Sequence, residues 1–300
     1  MTDIALIPVP FSQDKFREGM GQGPDALLAP KSRLMERLGA RHLRVASTEI
    51  LRDDLGEGDM LARLGRLQAT VAKCVAEALE HEHLPVILGG DCCNAIGAWS
   101  GITRARPDLT TGVVWLDAHG DWNTEETTLS GYIGGMPYAA ICGYGNAGLR
   151  QAVGLTNVAA TERCSLLGVR DLDPPEKALL DTTKVTVLTT EQVRRGLAPA
   201  MQALAEVDAF YLNVDIDVLD VREAPGVNYP VPGGLSSDEA IRIARVLITS
   251  KPIIAFSLTA IDSTRDPSGQ TVETGIKVLV EILEEAGRKS RKLWLRAASA

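Results

Sequence analysis

Val113-Val114-Trp115-Leu116-Asp117-Ala118-His119-Gly120-Asp121 decides the architecture of this chain. Its first four residues form an apolar run that reads as a buried strand. The run ends on two carboxylates and an imidazole at i, i+2 and i+4. Alternate side chains at a strand end point the same way. Asp117 and His119 therefore share a direction, and Asp121 joins them if the chain bends at Gly120. Oxygen and nitrogen donors gathered at one strand tip suit a divalent metal. Taken alone, the triplet reads equally well as a loop cap. A second stretch, Phe210-Tyr211-Leu212-Asn213-Val214-Asp215-Ile216-Asp217, repeats the logic. Asp215 and Asp217 repel one another, and burying them is costly. Two such strands at one sheet edge gather four carboxylates, and cations between them are the simplest remedy.

Working outward, apolar runs recur at Ile4–Pro8, Leu84–Leu88, Cys164–Gly168, Val185–Leu188 and Ile253–Leu258. Helical periods fill the gaps: Pro24–Leu38, Met60–Glu80, Pro175–Asp181, Pro199–Glu206, Ser236–Ser250 and Val272–Ala286. This alternation predicts βαβ units and a mainly parallel sheet. Ligands of such sheets collect at the carboxyl ends of strands, where the acids stand. The chain of 300 residues shows no linker and no internal repeat. It reads as one α/β domain over 1–300, with 288–300, basic and then Ala/Ser-rich, as a solvated or frayed tail.

Composition narrows the function classes. A net charge of −8 without a basic run argues against nucleic acid as a partner. No apolar run reaches eighteen residues, and Asp3 interrupts the apolar start, so neither a membrane span nor a signal peptide is read. The cytoplasm is the expected location. The five cysteines are scattered and form no disulfide framework. Of the four histidines, only His119 sits at a strand tip with acidic neighbours, which argues against a histidine-rich metal site.

Further pieces fall at strand ends: Gly19-Met20-Gly21-Gln22-Gly23-Pro24, Gly89-Gly90-Asp91-Cys92-Cys93, Gly134-Gly135-Met136-Pro137, Arg170-Asp171-Leu172-Asp173 and Pro232-Gly233-Gly234-Leu235. In this order, with the two acidic strand tips, they resemble the ureohydrolase family of arginases and agmatinases over nearly the whole chain. The resemblance implies a three-layer α/β/α fold around a parallel sheet and a pair of Mn2+ ions. Carried over by position, it makes Asp117, His119, Asp121, Asp215 and Asp217 metal ligands. It makes Asp121 the proton carrier as well, and Asn123, Thr128, Ser130 and Asp173 contacts for an amino-acid end of the substrate. Each of those four also reads as a loop hydrogen-bond former.

Three positions depart from the family pattern. Cys92 stands where a histidine ligand is usual. It reads either as a thiolate ligand, favouring softer divalent metals than manganese, or as a small buried residue beside an incomplete metal pair. Gly134 replaces the arginase proton-shuttle histidine. Ala260 replaces the glutamate that binds the substrate guanidinium, with Asp262 two residues on as a substitute. Cys92 with Gly134 resembles an atypical branch, the N-hydroxyarginine hydrolase of D-cycloserine biosynthesis. Locally, so does Asn123-Thr124 through Thr127-Thr128. The expected activity is metal-assisted hydrolysis of a guanidino or N-hydroxyguanidino C–N bond, releasing urea or hydroxyurea. The expected partners are a small guanidino-type substrate and, by the same resemblance, further copies of the chain in a trimer or hexamer. The alternative is a metal-poor relative with a ligand-binding or regulatory role.

Overall fold

The computed structural model describes residues 2–297, with side-chain surroundings through Lys289. Ten strands are present: β1 Thr2–Val9, β2 Phe11–Ser12, β3 Lys15–Phe16, β4 Leu43–Thr48, β5 Leu84–Gly89, β6 Thr111–Leu116, β7 Cys164–Val169, β8 Thr186–Thr189, β9 Ala209–Asp215 and β10 Ile253–Thr259. The α-helices are α1 Gly23–Leu28, α2 Leu34–Ala40, α3 Met60–Glu80, α4 Asn94–Ala105, α5 Pro137–Ile141, α6 Ala147–Val153, α7 Pro174–Leu180, α8 Thr190–Arg195, α9 Ala198–Ala203, α10 Ser237–Ser250 and α11 Gln270–Ala297. Eight strands form one sheet in the order β4-β1-β5-β10-β9-β6-β7-β8. Every pairing in it is parallel. β2 and β3 form a separate antiparallel pair.

The strands are apolar on both faces because both faces are covered. Val114 and Leu116 join a core with α2, α10 and α11, while Val113 and Trp115 join the opposite core with α3 and α4. The period of two in β6 thus assigns neighbouring residues to separate layers, and the result is a three-layer α/β/α fold. Helix ends follow local chemistry. Asp59 caps α3 by accepting from the Ala62 N–H at 2.8 Å. Ser236 and Glu239 form a reciprocal capping box at α10.

Three expectations need correction. The period over Pro24–Leu38 is not one helix. It is α1, a 3-10 turn at Pro30–Ser32 and α2, with Arg33 left-handed at φ 54°. Pro30 cannot continue a helix, because it lacks an N–H and crowds the preceding turn. The apolar runs leave out the edge strand β4, whose exposed outer half masks the pattern. α11 runs through the first ten residues of the expected tail, Arg288–Ala297. The last three residues, 298–300, lie outside the described residues. No described helix is long and apolar enough to cross a membrane.

Candidate metal centre and active-site cavity

Sheet register brings the acids together. Leu116 on β6 pairs with Val214 on β9, so Asp117 and Asp215 leave adjacent strands at one level. Thr259 on β10 pairs with Asp215, and Leu88 on β5 with Leu258. The carboxyl ends of β5, β10, β9 and β6 therefore open at one place, as the strand-end rule requires. Two donor groups form there. Cys92, Asp117 and Asp121 place one donor atom each within 4.8 Å of one another, and so do Asp117, His119 and Asp217. Asp117 belongs to both. Asp215 joins through Cys92, whose Sγ donates to Asp215 Oδ2 at 3.1 Å and lies 3.2 Å from Thr259 Oγ1.

The acids are held by fixed donors. Trp115 Nε1 donates to Asp117 Oδ2 at 2.9 Å, and the His119 N–H donates to Asp117 Oδ1 at 2.7 Å. The Asp217 N–H donates to Asp215 Oδ1 at 2.8 Å. Arg170 ties the second tip down: its Nη2 donates to the carbonyls of Asp217 at 2.8 Å and Val231 at 2.9 Å.

The bend that admits Asp121 is not at Gly120. Asp121 itself is left-handed, at φ 47°. Its carbonyl accepts from Tyr138 and Ala139 at 3.1 Å each, which docks the first turn of α5 on the site. Gly120 answers a different need, close packing: a Cβ there would lie 2.6 Å from Leu172 Cδ2 and press on the Glu176 carboxylate.

Electrostatics tests the fit to a metal pair. Burial pushes Asp117 up to about 6, aided by the charge of Asp217. Burial raises Asp121 and Asp215 well above the ordinary carboxylate value, reinforced by Asp117 and Asp217 respectively. It raises the Cys92 thiol too, with Asp215, Asp121 and Asp117 adding to the effect. Burial opposes charge on His119, but Asp117 and Asp217 outweigh it and push the imidazole up to about 12. Burial would raise Asp217 as well, yet the hydrogen bond and charge of His119 hold it below its ordinary value. One imidazole does not balance four buried carboxylates. Divalent cations in the two groups would return the acids to their ionised form. Asp121 Oδ2, buried with no hydrogen-bond partner among the described residues, fits the same account. The donor set thus fits a pair of divalent ions, one bounded by a sulfur and oxygens, the other by nitrogen and oxygens.

A cavity of about 460 Å³ lies over these groups, lined by Cys92, His119, Asp121, Asp215 and Asp217. That size suits a small-molecule ligand. Asn123, Thr128, Ser130 and Asp173 line it too. They also bond locally: Asn123 Nδ2 donates to Asp173 Oδ2 at 3.3 Å, Gly131 N–H to Thr128 Oγ1 at 3.0 Å, and Tyr132 N–H to Ser130 Oγ at 3.1 Å. Ala260 lines the cavity with a left-handed backbone, φ 67°. Asp262 does not line it. Its carboxylate accepts from Thr264 at 2.5 Å and lies 3.5 Å from Arg265, so the proposed substitute for a guanidinium-binding glutamate is engaged elsewhere.

Sequence reasoning missed Glu176, Tyr132, Asn228 and Tyr229, all cavity residues. Burial pushes Glu176 up to about 7, although the Trp122 and Asp173 N–H groups both donate to it. The spacing of Asp173-Pro174-Pro175-Glu176, a helix-start signature, could have found it.

Fold and site together define a parallel α/β protein with a polar centre at the strand ends. The chain belongs to the arginase family, whose model matches residues 2–284. It is similar to the arginase of Bacillus caldovelox, at 31% identity over 95% of this chain and 99% of the relative. Human mitochondrial arginase-2 is 29% identical over 96% of this chain and 86% of its own. Among solved structures, the arginase of Bacillus cereus superposes with a TM-score of 0.84 at 29% identity, covering 94% and 98% of the two chains. The proclavaminate amidino hydrolase of Streptomyces clavuligerus shares the fold, with a TM-score of 0.69 at 20% identity over 96% and 93%.

Proposed function

We propose that this chain is a metal-dependent amidinohydrolase that acts on a guanidino-type substrate with an amino-acid end. The observation that carries the reading is the pair of donor groups sharing Asp117 beneath the cavity. Cys92, Asp117, His119, Asp121, Asp215 and Asp217 would hold the metals, with Mn2+ or a softer ion beside the sulfur. Such a pair, when bound, would supply a water activated for attack at neutral pH. Asp121 Oδ2 takes the proton of that water and passes it to the leaving nitrogen. Asp173, Asn123, Thr128 and Ser130 hold the far end of the substrate.

The preferred substrate in this proposal is an N-hydroxyguanidino compound. Ala260 offers no carboxylate to a guanidinium cation, and Gly134 offers no imidazole to its leaving group. An N-hydroxylated guanidine is less basic and needs less of both. Urea and hydroxyurea release from N-hydroxyarginine, arginine, agmatine and guanidino acids tests this, with metal content measured alongside. N-hydroxyarginine is expected to turn over fastest. Protein carrying two equivalents of metal but hydrolysing none of these compounds would end the proposal. One observation favours the metal-poor alternative: the Cys92 thiol already has Asp215 and Thr259 as partners. Metal-free protein that stays inactive after manganese addition supports that alternative.

A further inference from the structure

Tyr132 fills the space left by the missing side chain at residue 134. A Cβ built on Gly134 would lie 2.5 Å from Tyr132 Oη and closer still to the ring carbons that carry it. Any side chain at 134 must therefore push the phenol out of its place. The outer side of the ring is held by Tyr229, at 5.6 Å between centroids and 45° between planes. Tyr132 lines the cavity, and its hydroxyl is buried with no hydrogen-bond partner among the described residues. A buried hydroxyl without a partner is unfavourable and rare. Tyr229 in turn meets the His119 ring edge-on, at 6.2 Å between centroids and 83° between planes, so a single aromatic ring stands between Tyr132 and the donor groups.

We propose that Tyr132 contacts the substrate and sets its chemistry, its hydroxyl donating to an acceptor on the reacting guanidino group. This rests on the hydrolase reading above. Burial raises the phenol far above its ordinary value, so at neutral pH it keeps its proton and serves as a donor, not a base. A guanidinium cation presents only N–H groups and gives that donor nothing to bond. An N-hydroxyguanidine presents an oxygen and, in its neutral form, an imino nitrogen. The phenol thus selects the N-hydroxylated compound in a cavity where Ala260 supplies no charge.

The test uses Tyr132→Phe and Gly134→Ala in manganese-loaded protein, with calorimetric binding of N-hydroxyguanidine beside the kinetics. Tyr132→Phe should cut kcat/KM for N-hydroxyarginine by about tenfold to hundredfold, with arginine altered by less than about threefold. Affinity for N-hydroxyguanidine should fall by the same factor as N-hydroxyarginine turnover. The Tm of the ligand-free variant should be no lower than that of the parent, since a buried group without a partner has been removed. Gly134→Ala, which adds only a methyl group, should reproduce the loss by displacing the ring. Tyr132→Phe on top of Gly134→Ala should then cost little more. Unchanged binding and selectivity in Tyr132→Phe overturns the proposal, as does an equal loss on both substrates with a lowered Tm. Parent protein whose N-hydroxyguanidine binding depends on Tyr132 but which releases no urea or hydroxyurea overturns the hydrolase reading and upholds Tyr132. Parent protein that binds no N-hydroxyguanidine overturns the Tyr132 proposal, and urea or hydroxyurea release then decides the hydrolase reading separately.

Discussion

His119 Nδ1 lies 3.0 Å from Asp217 Oδ2, while the Ala118 N–H donates to the other oxygen of the same carboxylate at 3.1 Å. Two neighbouring residues of the β6 tip thus grip one acid from the β9 tip. The donor surface is a joint between strands and not a property of either strand.

Asp117 serves both donor groups, and this makes it more consequential than its neighbours. Asp117→Asn is expected to lower bound metal from about two equivalents to under one. Cys92→Ala is expected to lose one ion and keep the other. Metal analysis of the purified variants decides. Equal losses in both variants, or none in either, would show that the two groups do not share Asp117.

Trp115 stacks on Tyr138 at 4.7 Å and 6° while its indole N–H holds Asp117. Trp115→Phe keeps an aromatic ring and removes the donor. Metal affinity should fall by about tenfold to hundredfold, the usual effect of losing a group that orients a ligand. Competition against a calibrated chelator measures it, and an unchanged affinity refutes the orienting role.

Glu239 provides a pH test away from the site. Arg194 grips it with two hydrogen bonds, at 2.8 Å and 3.1 Å. That contact, aided by the Ser236 N–H, holds its carboxyl down at about 2, below its ordinary 4.5. A depressed folded-state pKa adds stability that is complete above the unfolded value and disappears as pH falls through the folded one. The Tm gap between the parent and Glu239→Gln should therefore be constant above about pH 5 and close between about pH 4.5 and 2. A gap independent of pH across that window rules the contribution out.

Ala260 carries left-handed backbone that glycine adopts without strain. Ala260→Gly should raise unfolding free energy by about 0.5–1 kcal/mol, less the offset from the conformational entropy that glycine adds to the unfolded chain. Urea unfolding at neutral pH measures it. A loss of similar size would mean the Ala260 methyl contributes more by packing than its backbone strain removes.

Most of the sheet and the meeting of its acidic strand tips were legible because the code there is local. An apolar run ending on alternating acids fixes both the strand and the direction of its last side chains. β4 was not legible, since an edge strand with an exposed outer half lacks the all-apolar signature of Val113–Leu116. The break before α2 was written in Pro30 and overlooked in favour of periodicity. Tyr132 and Asn228 could not be read from spacing at all. They reach the cavity on loops whose return to the strand ends is set by tertiary packing. Asp262 shows the converse error: a residue in register with Ala260 by count turned away to meet Thr264 and Arg265.

Asp117, Asp215 and Asp217 stand at strand ends whose level is set by the β6–β9 register, whereas Tyr132, Asn123, Ser130 and Asn228 hang from loops. Heredity can therefore edit the two sets at different rates. A one-residue insertion in β9 would scatter the acids, but the same insertion in a loop would only reshape the mouth. A lineage built this way can change its diet while keeping its hydrolytic engine.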